Sequence, residues 1–225
     1  MQPTFKPVAD FGVLVTFAQT FSDAAHAQIR ALDRALNADL PQGVLETVPA
    51  LVNLMVVFDP LVTDHIAVQT AVEDLLPTLK PTQSNGATCT IDVCYDAPFA
   101  PDLPAVAKAT GLSIDAVIAA HLAGQYDVLM FGFAPGYGYL GGVDQAIQVP
   151  RKPKAVADVP AGAVMIADRQ CLVTTLTMPT GWSIIGRSPT PILTDDPNSP
   201  TIFAVGDRVQ FRRIGADAFA KASHV

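Results

Sequence analysis

The second half of the chain constrains the fold most strongly, because beyond residue 126 it has no helical period and is rich in turn residues. Short β-branched and aromatic segments alternate there with proline and glycine. We predict six of these segments as strands: YDVLMFGF (126–133), GAVMIAD (162–168), CLVTTLTM (171–178), WSIIGR (182–187), TIFAV (201–205) and DRVQFRRI (207–214). Several short strands separated by turn residues are typical of a β-barrel.

The first third combines strands with amphipathic helices. GVLVTF (12–17) predicts a buried strand, and residues 45–59 predict one or two more. Ser22 and Asp64 are placed to cap two helices. The first helix carries apolar residues at spacings of three and four: Ala25, Ile29, Leu32, Leu36 and Leu40. This order of elements favours a small α+β domain in which two helices cover an antiparallel sheet.

A polar segment, KPTQSNGAT (80–88), is typical of a linker because it contains proline and glycine between two periodic regions. We therefore predict two domains, residues 1–86 and 87–225. The second domain begins with an alternating strand, TCTIDVCY, and continues with two short helices over 102–110 and 113–123.

Charge and composition exclude several classes of partner. The 225 residues include 14 basic and 21 acidic ones, a net charge of −7, which disfavours nucleic acid and anionic membranes as partners. No stretch approaches the ~18 consecutive apolar residues of a membrane span. The N-terminal segment does not resemble a signal peptide, and three scattered cysteines fit a reducing compartment. We therefore expect a cytoplasmic protein.

The segment FGFAPGYGYLGGVD (131–144) contains G-x-G-x-x-G, at Gly136, Gly138 and Gly141. A dinucleotide-binding site would need a helix that opens on the last glycine, and the following GVDQAIQVPRKPK is too short and too rich in proline to form one. Two interpretations remain open. The segment is either a rigid aromatic loop that holds a small ligand against backbone amides, or a tight barrel corner with aromatic side chains in the core.

Several motifs together resemble the KipI family, which is also described as the first subunit of allophanate hydrolase and as the B subunit of 5-oxoprolinase. They are ETVPALVNLMVVFDP, FGFAPGYGYLGGVD, VPRKPK, VPAGAVMIA, PTGWSIIGRSP and GDRVQF, in the family's order over most of the chain. In the family's pattern the position of Gly138 is variable, a second reason to set the dinucleotide motif aside. The resemblance implies a ferredoxin-like N-terminal domain and a cyclophilin-like β-barrel C-terminal domain, related to part of the carboxyltransferase region of urea carboxylase.

The resemblance also implies partners and a cofactor. Family members act beside a KipA-type chain, which is the C subunit of 5-oxoprolinase. In 5-oxoprolinase this pair works with the LamB/YcsF-type A subunit to couple ATP hydrolysis to opening of the 5-oxoproline lactam. ATP is therefore the expected cofactor, and the sequence leaves open whether this chain or the complex binds it. No metal is predicted on this chain, because its histidines are scattered and Cys89 and Cys94 lack a second pair.

One segment departs from the family pattern. Where the family commonly has G-G-Q-T-G-I-Y-P, this chain has DRQCLVTT, so Asp168 and Arg169 replace two glycines while Gln170 keeps its place. Thr180 likewise replaces a glycine before Trp182. Bulky charged residues at glycine positions are expected to narrow the space that this loop faces or to change its charge. We therefore expect the departure to affect the identity of the substrate rather than the fold.

The candidate site residues follow from these motifs. His121 matches a family histidine and is a candidate proton shuttle or carboxylate ligand; the alternative is a helix-terminal histidine satisfied by backbone carbonyls. Arg151 and Arg187 suit a carboxylate or acyl phosphate, Gln170 suits an amide, and Trp182 offers a flat wall or a core side chain. We predict His121, Gln170 and Arg187 as catalytic, and as substrate-binding Phe133, Pro135, Gly136, Tyr139, Arg151 and Trp182.

No nucleophile motif is visible: G-x-S-x-G is absent, and Cys171 has no evident histidine partner in the sequence. We therefore predict one subunit of an ATP-dependent amide or lactam hydrolase, inactive alone, with the B subunit of 5-oxoprolinase as the first choice. Two alternatives remain: a carboxyltransferase-like subunit of the urea or allophanate pathway, and a KipI-type inhibitor that docks on a histidine kinase.

Overall fold

The computed structural model describes residues 2–81 and 86–222, which divide into two compact units, 1–84 and 85–225. The predicted linker, residues 80–88, spans the division between these units, and its residues 82–85 lie outside the described residues. The predicted domain boundary therefore stays a prediction.

The N-terminal unit is an antiparallel sheet with two helices. Its elements are β1 (Thr4–Val8), β2 (Gly12–Thr16), α1 (Asp23–Ala38), β3 (Val44–Pro49), β4 (Asn53–Phe58) and α2 (His65–Leu75). The described strands of this sheet lie in the order β1-β2-β4-β3. The Ser22 hydroxyl accepts from the Ala25 amide at 3.2 Å, and the Asp64 carboxylate accepts from two amides at the start of α2 at 2.9 Å, as the sequence predicts for caps.

The helices bury one face against the sheet, because Ile29, Leu32 and Leu36 of α1 pack with the inward side chains of β2 and β4. Leu40, predicted as the last residue of this stripe, lies beyond the end of α1 and is exposed. Strand β1 was not predicted from the sequence. Its side chains are mostly exposed and it contains Pro7, as expected of an edge strand, so it has no alternating apolar pattern. The ferredoxin-like assignment of this unit stays a prediction.

A closed β-barrel forms the second unit, which confirms the predicted barrel. Among the described residues, seven strands close in the order β10-β7-β6-β13-β5-β12-β9. They are β5 (Thr88–Cys94), β6 (Tyr126–Phe131), β7 (Gly138–Gly141), β9 (Ala163–Ala167), β10 (Gln170–Val173), β12 (Ser183–Arg187) and β13 (Arg208–Ile214). Helices α3 (Leu103–Thr110) and α4 (Ile114–Ala123) pack against the interior side chains. Outside the barrel lie a two-stranded ribbon, β8 (Val156–Val159) with β11 (Met178–Thr180), and helix α5 (Ala216–Ala222).

Alternation along the strands separates two apolar layers. On β10, Cys171 and Val173 belong to the barrel core, whereas Leu172 belongs to a second layer, the outer cluster, on the other face of the same strands. The outer cluster consists of Tyr137, Val159, Ala163, Met165, Ala167, Leu172, Met178, Trp182 and Ile184. The ribbon contributes Val159 and Met178, so it covers this face of the barrel.

Three predicted segments differ from the structure. Residues 201–205, predicted as a strand, contribute only an isolated bridge between Leu193 and Thr201. CLVTTLTM is broken after Val173, so its two halves belong to β10 and β11. The glycine run, in turn, contains a strand that its composition does not indicate. This strand, β7, has four residues, two of them glycine, and pairs with β6 and β10.

Within the described residues no single helix is both long and apolar enough to cross a membrane. In the described part of the chain, one pair, α3 and α4, has the required length and composition when taken together, and it is bent by 93° at the break between the two helices.

Candidate functional site

The glycine run is a turn between two neighbouring barrel strands. It leaves β6 at Phe131 and enters β7 at Gly138, with the Gly132 amide donating to the Tyr137 carbonyl at 3.2 Å. A strand, not a helix, follows, which excludes the dinucleotide-binding arrangement. A side chain at Gly138 would meet Phe203, and one at Gly141 would meet Leu129, so these two glycines are required by packing.

The turn itself forms one wall of an apolar depression, here called the glycine-loop cleft. Its volume is about 630 Å³. Phe133, with a φ of +73° and 76% of its surface exposed, stands at this cleft, and Gly136 has a φ of +68°. The lining residues are Phe131, Gly132, Phe133, Ala134, Pro135, Gly136, Leu193, Pro200 and Thr201. Three predicted substrate-binding residues, Phe133, Pro135 and Gly136, therefore do lie together.

The cleft is held in shape by contacts to the next loop. The Thr175 hydroxyl donates to the Pro135 carbonyl at 2.7 Å. A side chain at Gly136 would come within 2.6 Å of Leu193 Cδ2 and 3.2 Å of Thr175 Cγ2. Glycine is thus needed at 136 for both its positive φ and its close approach to Leu193. The run is a tight barrel corner whose outer edge also lines a cleft, and that it holds a small ligand stays a prediction.

A row of aromatic rings, the aromatic row, leads from the cleft across the outer cluster. Ring centroids are 5.4 Å apart for Phe133 and Tyr137, 5.5 Å for Tyr137 and Tyr139, and 6.0 Å for Tyr139 and Trp182. The Arg151 guanidinium lies 5.4 Å from the Trp182 ring centroid, a cation–π distance. Trp182 is buried in the outer cluster, as the core interpretation expects, and its role as a flat wall for a substrate stays a prediction.

The electrostatics of the row are set by burial and by Arg151. Burial raises the pKa of Tyr137 to about 12, with Tyr139 acting in the same direction and the positive charge of Arg151 in the opposite one. Tyr137 is therefore a neutral hydrogen-bonding group near neutral pH. Gln170 pairs with Gly141 and Ala167, and by strand alternation its side chain is on the outer face with Tyr139 and Leu172.

Arg187 lies in a different depression, the Arg187 cavity, with a volume of about 320 Å³. Its Nε donates to the Ala161 carbonyl at 3.2 Å, and its guanidinium lies 5.7 Å from the Phe219 ring centroid. The cavity is lined by Ala161, Gly162, Thr174, Thr175, Arg187, Ser188, Pro189, Thr190, Pro191, Ile192, Leu193 and Phe219. The Arg187 cavity and the glycine-loop cleft adjoin at Leu193, close to the contact between Gly136 and Thr175.

His121 lies inside the barrel core with no exposed surface. Its Nδ1 is 2.7 Å from the Tyr95 hydroxyl oxygen, and its Nε2 is 3.5 Å from the Cys171 sulfur. The Tyr126 hydroxyl donates to the His121 backbone carbonyl at 3.0 Å. Burial lowers the pKa of His121 to about 3, so the ring is neutral near neutral pH. The side chain is neither at a surface nor satisfied by backbone carbonyls, which differs from both sequence interpretations.

Cys171 does have a histidine partner, contrary to the sequence-based expectation. The two residues are 50 positions apart, on α4 and β10, and their side chains meet in the barrel interior. Burial raises the pKa of the Cys171 thiol, which keeps it protonated, and the thiol has no exposed surface. The pair thus lacks both the thiolate and the access that a nucleophile needs.

Several cationic and histidine residues have structural surroundings that the sequence did not indicate. Lys152, in the VPRKPK segment, pairs with Asp102 at 2.7 Å, and the same carboxylate accepts from the Ile184 amide at 2.7 Å. Asp168 and Arg169 form the two-residue turn between β9 and β10, and Asp168 has a φ of +48°, which explains why glycine also suits this position. His26 is buried in α1.

The structure thus divides the nine predicted site residues among four places. Phe133, Pro135 and Gly136 line the cleft; Tyr139, Arg151, Trp182 and Gln170 are on the outer face; Arg187 is in the adjoining cavity; and His121 is enclosed in the core. In the described part of the chain, no group of three His, Cys, Asp or Glu side chains is placed to hold a metal ion.

A family model matches most of this chain. The model for the carboxyltransferase domain, subdomain C and D, covers residues 3–203. The chain belongs to this family. The match extends over both compact units and includes every candidate site residue, and it confirms the resemblance predicted from the motifs.

Two curated relatives cover nearly the full chain. A Bacillus subtilis (strain 168) protein, named as the B subunit of 5-oxoprolinase, is 33% identical over 220 residues, 93% of this chain and 92% of that protein. A Haemophilus influenzae protein of the same name is 30% identical over 205 residues, 91% of this chain and 95% of that protein.

Solved structures share the architecture. TTHA0988 matches with a TM-score of 0.79 at 33% identity over 91% of this chain, which corresponds to 40% of that longer protein. The Pyrococcus horikoshii protein PH0987 matches with a TM-score of 0.57 at 35% identity, over 96% of this chain and 100% of that one. Kluyveromyces lactis urea amidolyase matches at 13% identity with a TM-score of 0.80 over 97% of this chain and 15% of its own, which shows a common fold alone.

Proposed function

We propose that this chain is the B-type subunit of an ATP-dependent 5-oxoprolinase, acting with a KipA-type partner and a LamB/YcsF-type subunit. Two relatives named as the B subunit of 5-oxoprolinase match it over more than nine tenths of their lengths, which supports this role. In this proposal ATP is bound by the complex, and the present chain supplies part of the substrate site.

The observation that carries the proposal is the chemistry of the glycine-loop cleft. Among the described residues that line it, none is acidic, basic or a thiol, and its one hydroxyl, that of Thr201, donates to the Phe203 carbonyl at 2.7 Å. An apolar cleft of this kind can hold a small ring but cannot activate water or take up a proton. The bond-breaking groups must then come from elsewhere in the complex, as expected for a subunit that is inactive alone.

Only part of the predicted site residues keep their roles in this proposal. Phe133, Pro135 and Gly136 hold the substrate ring, while Tyr139, Arg151, Trp182 and Gln170 form the adjacent outer surface of the site. His121 has no contact with the cleft lining and is assigned a structural role instead of the predicted catalytic one, because it is fully enclosed.

The deciding experiment measures 5-oxoproline-dependent ATP hydrolysis by the reconstituted companion subunits, with and without this chain. We expect turnover only with the chain, and at least about tenfold weaker turnover with Gly136→Val, which fills the space next to Leu193. The matched control is Ile114→Ser, an exposed apolar residue of the same unit outside the cleft. Full turnover without the chain, or with the cleft filled, would refute the proposal.

A docking function has one specific observation in its favour. The N-terminal unit exposes Leu61 and Ile66, at 94% and 78% of their surfaces, together with Leu45 at 61%. Exposed apolar side chains of this size suit a protein contact. If Leu61→Ser and Ile66→Ser abolish binding to a histidine kinase dimerisation domain while 5-oxoproline has no effect on ATP turnover, the KipI-type inhibitor is the better description. Replacing 5-oxoproline by urea in the same assay tests the urea-pathway alternative.

A further inference from the structure

We propose that the Arg187 cavity is a binding site for a small oxyanion, and that the oxyanion is the carboxylate of the molecule whose apolar part occupies the glycine-loop cleft. The oxyanion site rests on the cavity alone, whereas the identity of its ligand rests on the proposed function.

The first support is a guanidinium with hydrogen-bonding capacity left over. The Arg187 Nε donates to the Ala161 carbonyl, and one face of the guanidinium lies against the Phe219 ring. Within residues 2–81 and 86–222 its two terminal amino groups make no hydrogen bond, and no carboxylate lies within 4.0 Å. A half-buried arginine anchored at Nε and stacked on a ring is held in one orientation, with its terminal donors pointing onward.

The second support comes from the hydrogen bonds of the four hydroxyl groups that line the cavity. Thr174 donates to the Pro160 carbonyl and Thr175 to the Pro135 carbonyl, at 2.9 Å and 2.7 Å, so these two protons are engaged. Ser188, in contrast, accepts from the Thr190 amide at 3.0 Å. Thr190 accepts from the Asp92 amide at 3.1 Å.

The hydroxyl protons of Ser188 and Thr190 have no acceptor in the part of the chain described by the structure. Because a hydroxyl both donates and accepts, each retains one O–H that can donate to a ligand. Ser188 is buried, so its proton is directed by the cavity and not by bulk water. Together with the guanidinium, these groups form a set of donors that matches the acceptor oxygens of a carboxylate or phosphate.

The charges around the cavity also favour an anionic ligand. Arg187 is the one charged side chain among the described lining residues. Asp92 of the adjoining strand β5 is already paired with Arg212 at 2.6 Å, and Asp96, which follows that strand, with Arg213 at 3.8 Å. In a chain of net charge −7, an arginine without a carboxylate partner therefore leaves a local positive site for an anion.

The volume of the Arg187 cavity and its position beside the glycine-loop cleft indicate which ligand it can hold. A volume of about 320 Å³ is at the small end of ligand pockets, so it suits a carboxylate or a single phosphate group and not a nucleotide. The cavity adjoins the glycine-loop cleft at Leu193. One small molecule can thus place an apolar ring against Phe133 and Pro135 and its carboxylate against Arg187.

The test is a binding titration on the full chain with three probes: 5-oxoproline, 2-pyrrolidinone, which is the same lactam without the carboxylate, and inorganic phosphate. We expect Arg187→Gln to weaken 5-oxoproline binding by about tenfold or more, because a charged hydrogen bond is lost, and to leave 2-pyrrolidinone unchanged. Arg187→Lys should restore part of the affinity, and Ser188→Ala should weaken it less. Arg212→Gln, which removes an exposed paired arginine, is the control.

The possible results separate the ligand assignment from the site itself. If Arg187→Gln weakens phosphate but not 5-oxoproline, the oxyanion site stands and the carboxylate assignment is wrong. If no probe that carries an oxyanion binds the wild-type chain, or if Arg187→Gln changes none of them while the fluorescence of Trp182 shows an intact fold, the site is refuted. Failure of the proposed function is distinguishable, because it appears as absent turnover in the reconstituted complex even where Arg187-dependent binding persists.

Discussion

Acidification should destabilise the barrel through His121, a single fully buried histidine. Its pKa is lowered to about 3 by burial, against about 6.5 in an unfolded chain. The folded state therefore resists protonation while the unfolded state accepts it. The stabilising effect is fully present above about pH 6.5 and is lost progressively as the pH falls from there toward 3.

The magnitude follows from the two pKa values. At about pH 5.5 the unfolded-state imidazole is roughly nine-tenths protonated and the folded-state one is neutral, so the free energy of unfolding falls by about 1.4 kcal/mol relative to pH 7.5. Urea unfolding at the two pH values measures this difference. Trp182 is the one tryptophan of the sequence and is buried in the outer cluster, so its fluorescence reports the barrel unit.

Two variants separate His121 from all other titrating groups. His121→Gln should be less stable at pH 7.5, and its further loss on acidification should be about 1.4 kcal/mol smaller than that of the wild type. Tyr95→Phe removes the 2.7 Å contact to the ring but keeps the imidazole buried, so it should retain the wild-type pH dependence. Identical pH dependence in the wild type and in His121→Gln would show that the ring is not held neutral in the core.

Two further predictions concern stability. Lys152→Met should lower the free energy of unfolding by about 1 kcal/mol, because a half-buried carboxylate loses its partner, whereas Lys154→Met should leave urea unfolding unchanged. Gly142→Ala should lower the melting temperature severely or prevent folding, because φ is +115° and the new methyl group would meet the Gln125 carbonyl oxygen. Gly111→Ala, where φ is +72° and nothing lies nearby, should cost only about 1 kcal/mol; equal effects of the two glycine variants would contradict this explanation.

Local patterns identified most of the regular elements. Helix α1 follows its cap at Ser22 and its apolar stripe, and α2 follows Asp64, because capping and amphipathic periodicity depend on neighbours within a few positions. Strand β1 lacks such a signal. The strand at Gly138–Gly141 is likewise defined by its partners and not by its own residues, since glycine has a low preference for strands.

The candidate site was predictable only in part. Phe133, Pro135 and Gly136 are consecutive or nearly so, and the sequence placed them together correctly because a tight turn keeps its own residues close. Gln170 and Arg187 were grouped with them on chemical grounds, but neither lines the cleft: strand alternation places Gln170 on the adjacent outer face, and Arg187 lies in the adjoining cavity. Ser188 and Thr190 carried no signal, because whether a hydroxyl proton is engaged depends on which backbone groups the fold brings near it.

The order of residues along the chain is enough to establish the class of the fold, the helices and most strands, and the turn that forms the glycine loop. Each of these depends on short-range geometry and on which residues avoid water. Three other features appear only in the folded chain. His121 lies in the core against Cys171, Lys152 is paired with Asp102, and Arg187 is the one charged side chain among the described residues that line its cavity. Closure of the barrel joins residues that are 26 to 120 positions apart, and no local pattern encodes which of those distant side chains will face each other.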